Sequence, residues 1–303
     1  MRWMIALIAT GSLWSGAHAW HDEGHYYATL AAVESLPPEV PEFFRLGATT
    51  AAHVSIDPDV AKNRGTPQLR QTEQPEHYLD LELLKGRSLP GSREDFHQLC
   101  TKLGIKPKEV GFLPYAIIEW AQRLTLAFAE HRRSPENPHV QIKCVVYAGL
   151  LAHYTTDLSM PLHTTVHWNG RTDTDHSNIH ARVDALPTKL PYERIFGKPM
   201  PKIPAHTDIF AYVVQQLQHS NELVDRVYEL EPRLPEPTDL ELIDDEVIKF
   251  TINHTRAAAQ ITATILHSTW KNSATIKLPW WLDRTPLDAQ FDPTQIPPQP
   301  TPQ

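Results

Sequence analysis

Five residues able to ligate a metal, His153, Asp157, His163, His180 and Asp184, fall within 32 consecutive positions of this chain. His153 and Asp157 are four apart, as are His180 and Asp184, and an i,i+4 pair projects from one face of a helix. Imidazole nitrogen combined with carboxylate oxygen is a donor set that can hold a divalent metal. A single His-x-x-x-Asp pair is also what a hydrogen-bonded core pair looks like, so the spacing needs support from elsewhere in the chain. Two such pairs with a histidine between them could converge on one metal site.

The elements that must position these residues can be read around them. The first pair lies in a mostly apolar run from Val140 to Leu158, which reads as a buried helix. Pro161 should end that helix, leaving His163 just beyond it. Residues 164–179 are polar and loop-like, and Ser177 or Asn178 could cap the helix that carries the second pair. Upstream, Tyr26 to Ser35 reads as a helix stopped by Pro37-Pro38, and Val40 to Leu46 as a short one. Thr50 to Pro75, with Pro58, Gly65 and Pro67, reads as loop or short turns, and Glu76 to Leu84 has no clear period. Ser92 with Asp95 is a capping arrangement opening a helix to about Leu103. Lys108 to Arg132 reads as one long helix with Pro114 in its first turn or at a kink. After an irregular stretch from Pro187 to Pro204 come helices at Thr207 to Leu230 and Asp239 to Trp270, the latter with Leu240, Ile243, Val247, Phe250 and His254 on one face. There is no convincing strand and no internal repeat, so the expected class is mainly α, one domain built around the central helices.

The ends of the chain bear on compartment. Arg2, the apolar run Met4 to Trp14 and the small-x-small site Ala17-His18-Ala19 read as a signal peptide over residues 1–19, too short to span a membrane as an anchor. Cleavage before Trp20 would give a secreted or periplasmic protein with a catalytic domain over 20–278 and a proline-rich tail over 279–303, extended or disordered. Loss of Arg2 takes the formal charge from −8 to −9, and there is no basic stripe to grip a phosphate backbone. A polyanionic substrate would therefore need bound divalent cations to hold it. Cys100 and Cys144, the two cysteines present, could form one bridge or remain two buried thiols. A Gly-x-Ser-x-Gly elbow, a His-Glu-x-x-His pair, a P-loop and a dinucleotide fingerprint are all absent. What remains is His, Asp and the free amine that cleavage would create at Trp20, which with its own carbonyl oxygen could chelate a metal.

These residues resemble the zinc-dependent phospholipase C and S1/P1 nuclease superfamily, a helical fold with long loops around three zinc ions and a mature N-terminal tryptophan. Nine positions fall in register: Trp20, His25, Asp59, His77, His153, Asp157, His163, His180 and Asp184. The resemblance implies one zinc on Asp59, His77, His153 and Asp157, a second on Trp20, His25 and Asp157, and a third on His163, His180 and Asp184. Asp57 competes with Asp59 for its place; Pro58-Asp59 looks like the family's loop and puts Lys62 where the nucleases carry arginine. It also implies that a water of lowered pKa attacks phosphorus in line, that Lys62 neutralises a phosphoryl oxygen, that Asp80 orients the water, and that Tyr78 stacks a nucleobase.

The ligands are common to nuclease and phospholipase branches, so substrate rests on smaller features. The stretch Asn178-Ile179-His180-Ala181-Arg182-Val183-Asp184 resembles the nuclease pattern ending in Asp, whereas similar bacterial phospholipases end it in Glu. The chain departs from the family in lacking the four cysteines of the fungal and plant nucleases and in having Lys62 for arginine, which removes a bidentate grip. The leading expectation is a zinc phosphodiesterase cleaving single-stranded nucleic acid to 5′-phosphates, with 3′-nucleotidase activity beside it. The alternatives are a phospholipase C acting on a phospholipid headgroup and a zinc-binding protein without catalysis.

Overall fold

The computed structural model describes residues 22–171 and 178–283, and within them the chain is helical, its only β feature an isolated bridge between Leu79 and Gly111. The first half runs through α1 (Asp22–Glu34), α2 (Glu42–Leu46), α3 (Ala48–Val54), α4 (Asp57–Ala61), α5 (Pro67–Glu73), α6 (Arg93–Leu103), α7 (Pro107–Val110) and α8 (Leu113–Arg133). The second runs through α9 (Pro138–Asp157), α10 (Ile179–Asp184), α11 (Tyr192–Phe196), α12 (Ile209–Glu222), α13 (Val224–Leu230) and α14 (Asp245–Asn272). The mainly α expectation holds. The signal peptide, Trp20, Ser177 and positions 284–303 of the tail lie outside the described residues. No helix among the described residues is long and apolar enough to cross a membrane.

Helix α9 is the axis. It packs against α8, α3, α1 and α14, and Val140, Cys144, Ala148, Leu151 and Ala152 bury their side chains between those neighbours. A helix that is apolar on most of its circumference must be enclosed. Asn137 starts it: its side chain accepts from the backbone N–H of His139 at 2.9 Å and of Val140 at 3.3 Å, with Pro138 at the first helical position, where the missing donor costs nothing. Gly149 lets α3 come close, because a Cβ there would lie 2.5 Å from the Ala51 carbonyl oxygen and 2.7 Å from the Val54 Cβ. Ser55, just past α3, is thereby brought against α9 one turn on from that glycine.

Several elements differ from the sequence expectation, each for a physical reason. The stretch from Thr50 to Pro75 is largely helical, in α3, α4 and α5; Pro58 and Pro67 sit in the first turns of α4 and α5, where proline starts a helix. The long helix expected from Lys108 is broken at Gly111, whose φ of +98° is left-handed and whose Cβ would lie 2.1 Å from the Tyr78 carbonyl oxygen. Thr207 to Leu230 is likewise two helices, meeting at Leu223. The last helix begins only at Asp245, capped by Asp244, so Leu240 and Ile243 precede it and are exposed rather than on its buried face. Cys100 and Cys144 are both buried and unbridged. The capping of α6 by Ser92, which accepts from the Asp95 N–H at 3.1 Å, is as expected.

Candidate metal centre

Helix α9 ends in His153 and Asp157, both fully buried. The segments packed on that end of the helix contribute the rest: α1 carries His25, α4 carries Asp59, the 3-10 turn Gln74–His77 carries His77, the turn Pro161–Thr164 carries His163, and α10 carries His180 and Asp184. They form three groups able to hold a metal ion: His25, His153 and Asp157; Asp59, His77 and His153; and His163, His180 and Asp184, with ligand atoms in each within 4.8 Å of one another.

The spacings are near those of donors that share one ion. Bonds of about 2.1 Å to one ion leave neighbouring ligand atoms about 3.4 Å apart. His153 Nε2 is 2.9 Å from His77 Nδ1 and 3.8 Å from Asp59 Oδ1, and His77 Nδ1 is 3.8 Å from that same oxygen. In the third group His163 Nε2 faces His180 Nε2 at 3.0 Å, with Asp184 Oδ2 3.5 Å from the latter.

Asp157 joins the groups. Its Oδ2 lies 3.0 Å from His77 Nδ1 and 3.3 Å from His153 Nε2; its Oδ1 lies 3.3 Å from His163 Nδ1 and 3.6 Å from His25 Nε2. One buried carboxylate thus touches four imidazoles from four separate segments. Two of those rings have their orientation set from behind. His153 Nδ1 donates to the Ser55 carbonyl oxygen at 2.7 Å. His25 Nδ1 is 2.5 Å from Thr156 Oγ1, whose own hydrogen goes to the His153 carbonyl oxygen, so the ring is the donor. In both cases Nε2 keeps its lone pair for the centre, which is how an outer hydrogen bond fixes the tautomer of a ligand. Sequence reading missed Ser55 and Thr156 because nothing local marks them.

The electrostatics favour ligand-competent forms. Burial, with His153 adding to it, pulls His25 down to about 3, and burial lowers His163 to about 4. Burial and His163 hold His180 well below its ordinary value. Burial alone would raise the Asp157 carboxyl, but His153 and His163 outweigh it and hold that group well below the usual carboxylate range. Burial is likewise overcome at Asp59, which Lys62 and His153 hold at about 2. His77 is the exception: burial and Lys62 push it down, yet the carboxylates of Asp157 and Glu73 raise it above its ordinary value. A metal at His77 would therefore compete with a proton more than at the other imidazoles.

Of the other residues singled out, Asp59 belongs to a ligand group and Asp57 is exposed. Lys62 sits at the edge, its Nζ 2.5 Å from Asp59 Oδ1. Asp80 is half-buried at the start of the turn Leu81–Leu84, and burial, helped by Glu82, pushes its carboxyl up to about 7. Tyr78 follows His77 in extended backbone and its hydroxyl donates to the Lys108 carbonyl oxygen at 2.9 Å, so this contact turns it toward α7. An aromatic that sequence reading passed over, Trp168, is exposed and stands edge-on to His180 with ring centres 5.6 Å apart; its signal was a lone tryptophan in a polar loop. Comparison with protein-family models, curated proteins and solved structures gives no match.

Proposed function

We propose that the chain is an exported zinc-dependent phosphodiesterase that hydrolyses single-stranded DNA and RNA to 5′-phosphates, with 3′-nucleotidase activity beside it, at a centre of three zinc ions. The observation that carries this reading is the gathering of three His/Asp groups around the single carboxylate of Asp157. Zinc bound there would supply concentrated positive charge and a water that ionises near neutral pH. That charge answers the difficulty of the composition, an acidic chain with no basic stripe facing a polyanion. Trp20, His25 and Asp157 would complete one ion's set, Asp59, His77, His153 and Asp157 another's, and His163, His180 and Asp184 the third's.

The remaining roles fall to the chain's own groups. Lys62, whose ammonium neutralises Asp59, loses that task to a cation held by the same carboxylate and is then available to a phosphoryl oxygen. Asp80, whose carboxyl burial pushes up to about 7, would orient the attacking water. Trp168 gives the third group an apolar rim on which an unpaired base can stack. The test sets zinc-loaded protein beginning at Trp20 against single-stranded DNA and phosphatidylcholine vesicles, each with a chelator control. Chelator-sensitive release of 5′-phosphate ends from DNA is expected. Release of phosphocholine alone would assign the chain to phospholipid headgroups, and turnover of neither by protein holding its zinc would leave a metal-binding protein without catalysis.

A further inference from the structure

His153 and His25 have their outer nitrogens held by hydrogen bonds to Ser55 and Thr156. His77 enters the centre the other way round, through Nδ1, which faces His153 at 2.9 Å and Asp157 at 3.0 Å. Its outer nitrogen, Nε2, faces Glu73 Oε1 at 3.5 Å. Glu73 is the last residue of α5, four positions before His77, and its side chain is 16 % exposed. Its Oε1 also accepts a short hydrogen bond from the hydroxyl of Tyr154. Tyr154 follows His153 in α9, is buried, and lays its ring 5.5 Å from that of His77 and 5.3 Å from that of His153.

We propose that Glu73, held in place by Tyr154, is the positioning residue that keeps the His77 proton on Nε2 and so aims the Nδ1 lone pair at the Asp59–His77–His153 group. A neutral imidazole has one lone pair, and whichever ring nitrogen carries the proton cannot ligate. A carboxylate behind the outer nitrogen selects the useful tautomer and raises the basicity of the inner one, as outer carboxylates do for metal-bound histidines. Without Glu73 the proton is free to move to Nδ1, and the group loses one of its three donors. Tyr154 acts through Glu73: it fixes the carboxylate's rotamer, and by its position beside His153 ties that rotamer to the helix carrying the other ligands. Helix α5 buries no residue, and Arg70 ties it to the Lys62 carbonyl oxygen at 2.8 Å. The inference rests on the metal-centre reading above.

The experiment is a titration of the purified full chain with Zn2+ against a chromophoric chelator at pH 7, for the wild type, Glu73→Gln, Tyr154→Phe and the double variant. Glutamine keeps the shape and still accepts from Tyr154, so α5 stays pinned while the charge behind His77 is lost. Glu73→Gln should weaken one zinc site roughly 10- to 100-fold and leave the others unchanged. Tyr154→Phe should weaken the same site less, and the double variant should be no worse than Glu73→Gln. Long-range 15N–1H spectra of the zinc-loaded protein should show the His77 proton on Nε2. Wild-type zinc affinity in Glu73→Gln, or losses that simply add in the double variant, would overturn the proposal. Should Glu73→Gln not fold, the Tyr154→Phe loss and the His77 tautomer decide it. A wild type that binds no zinc would show in the first titration and would sink the metal-centre reading itself.

Discussion

The chain contains the same four-residue spacing twice, and the two copies are supported differently. His153 and Asp157 end a 20-residue helix packed chiefly against α8, α3, α14 and α1. His180 and Asp184 lie on α10, a helix of six residues that is too short to form alone. Ile179 and Val183 bury their side chains in the core, and a cation between His180 and Asp184 in sequence adds a clamp: Arg182 donates from Nε to the Pro235 carbonyl oxygen at 3.2 Å and from Nη2 to those of Glu231, at 3.1 Å, and Leu234. The entry to α10 is Asn178 in a left-handed conformation, φ +55°, a backbone that asparagine tolerates better than most residues. The spacing secures a shared face in both copies; a long helix enclosed by the core carries that face in one, and a short helix seated on the core by Ile179 and Val183 and clamped by Arg182 carries it in the other.

The largest expected effect breaks the first copy. Asp157→Asn should lose zinc from two groups and disturb the third, because His163 Nδ1 also rests 3.3 Å from that carboxylate; Asp184→Asn should lose one ion. Metal analysis at fixed free zinc compares them, and equal losses would mean that Asp157 joins nothing.

Acid tests both copies together. His25 and His163 have folded values of about 3 and about 4, set first by burial, against about 6.5 unfolded. Below pH 6.5 the unfolded chain therefore binds more protons, and stability falls as pH drops through 6.5 toward those values. Asp59, held at about 2 by Lys62 and His153 against its burial, contributes stability that is whole above about pH 4 and lost as pH falls toward 2. His77, raised, runs oppositely: its contribution is complete below 6.5 and declines as pH rises through its folded value. The chelated protein should thus be less stable at pH 5 than at pH 7 by on the order of a few kcal/mol, read as a melting point several degrees lower, and zinc should widen the gap, because its binding releases protons and is stronger at pH 7. A flat profile would mean that these imidazoles are not neutral in the folded chain.

The supports come next. Gly149→Ala forces a Cβ against Ala51 and Val54, which should cost about 1–3 kcal/mol and pull Ser55 off His153. Arg182→Ala should cost a similar ~1.5–3 kcal/mol yet release zinc from the third group only. Thermal melts paired with metal content separate the two, and a Gly149→Ala protein that loses only the third ion would invert the comparison. Smallest of all, His53→Ala and His139→Ala alter exposed histidines and should leave metal content unchanged.

The clustered residues themselves were legible. His153, Asp157, His163, His180 and Asp184 stand out by type and interval, and of the two aspartates weighed upstream Asp59 lies in a His/Asp cluster while Asp57 is exposed. The long helices at α9 and α14 were legible too, since apolar periodicity over many turns leaves little choice. The break at Gly111 was not, because it depends on the Tyr78 carbonyl pressing on a residue 33 positions away. Nor was the course of Thr50 to Pro75, where proline reads locally as a breaker and structurally as a first turn.

By itself the sequence determined the helical class, the residue types available for chemistry and the faces on which neighbours in a helix must lie, because these follow from local period and composition. Which nitrogen of each histidine points inward, and that one carboxylate serves four imidazoles, was decided only in the folded chain. Such choices are made by contacts such as Ser55 with His153 and Thr156 with His25, across 98 and 131 positions, and the ring orientation they set costs nothing to change until the surrounding helices are packed.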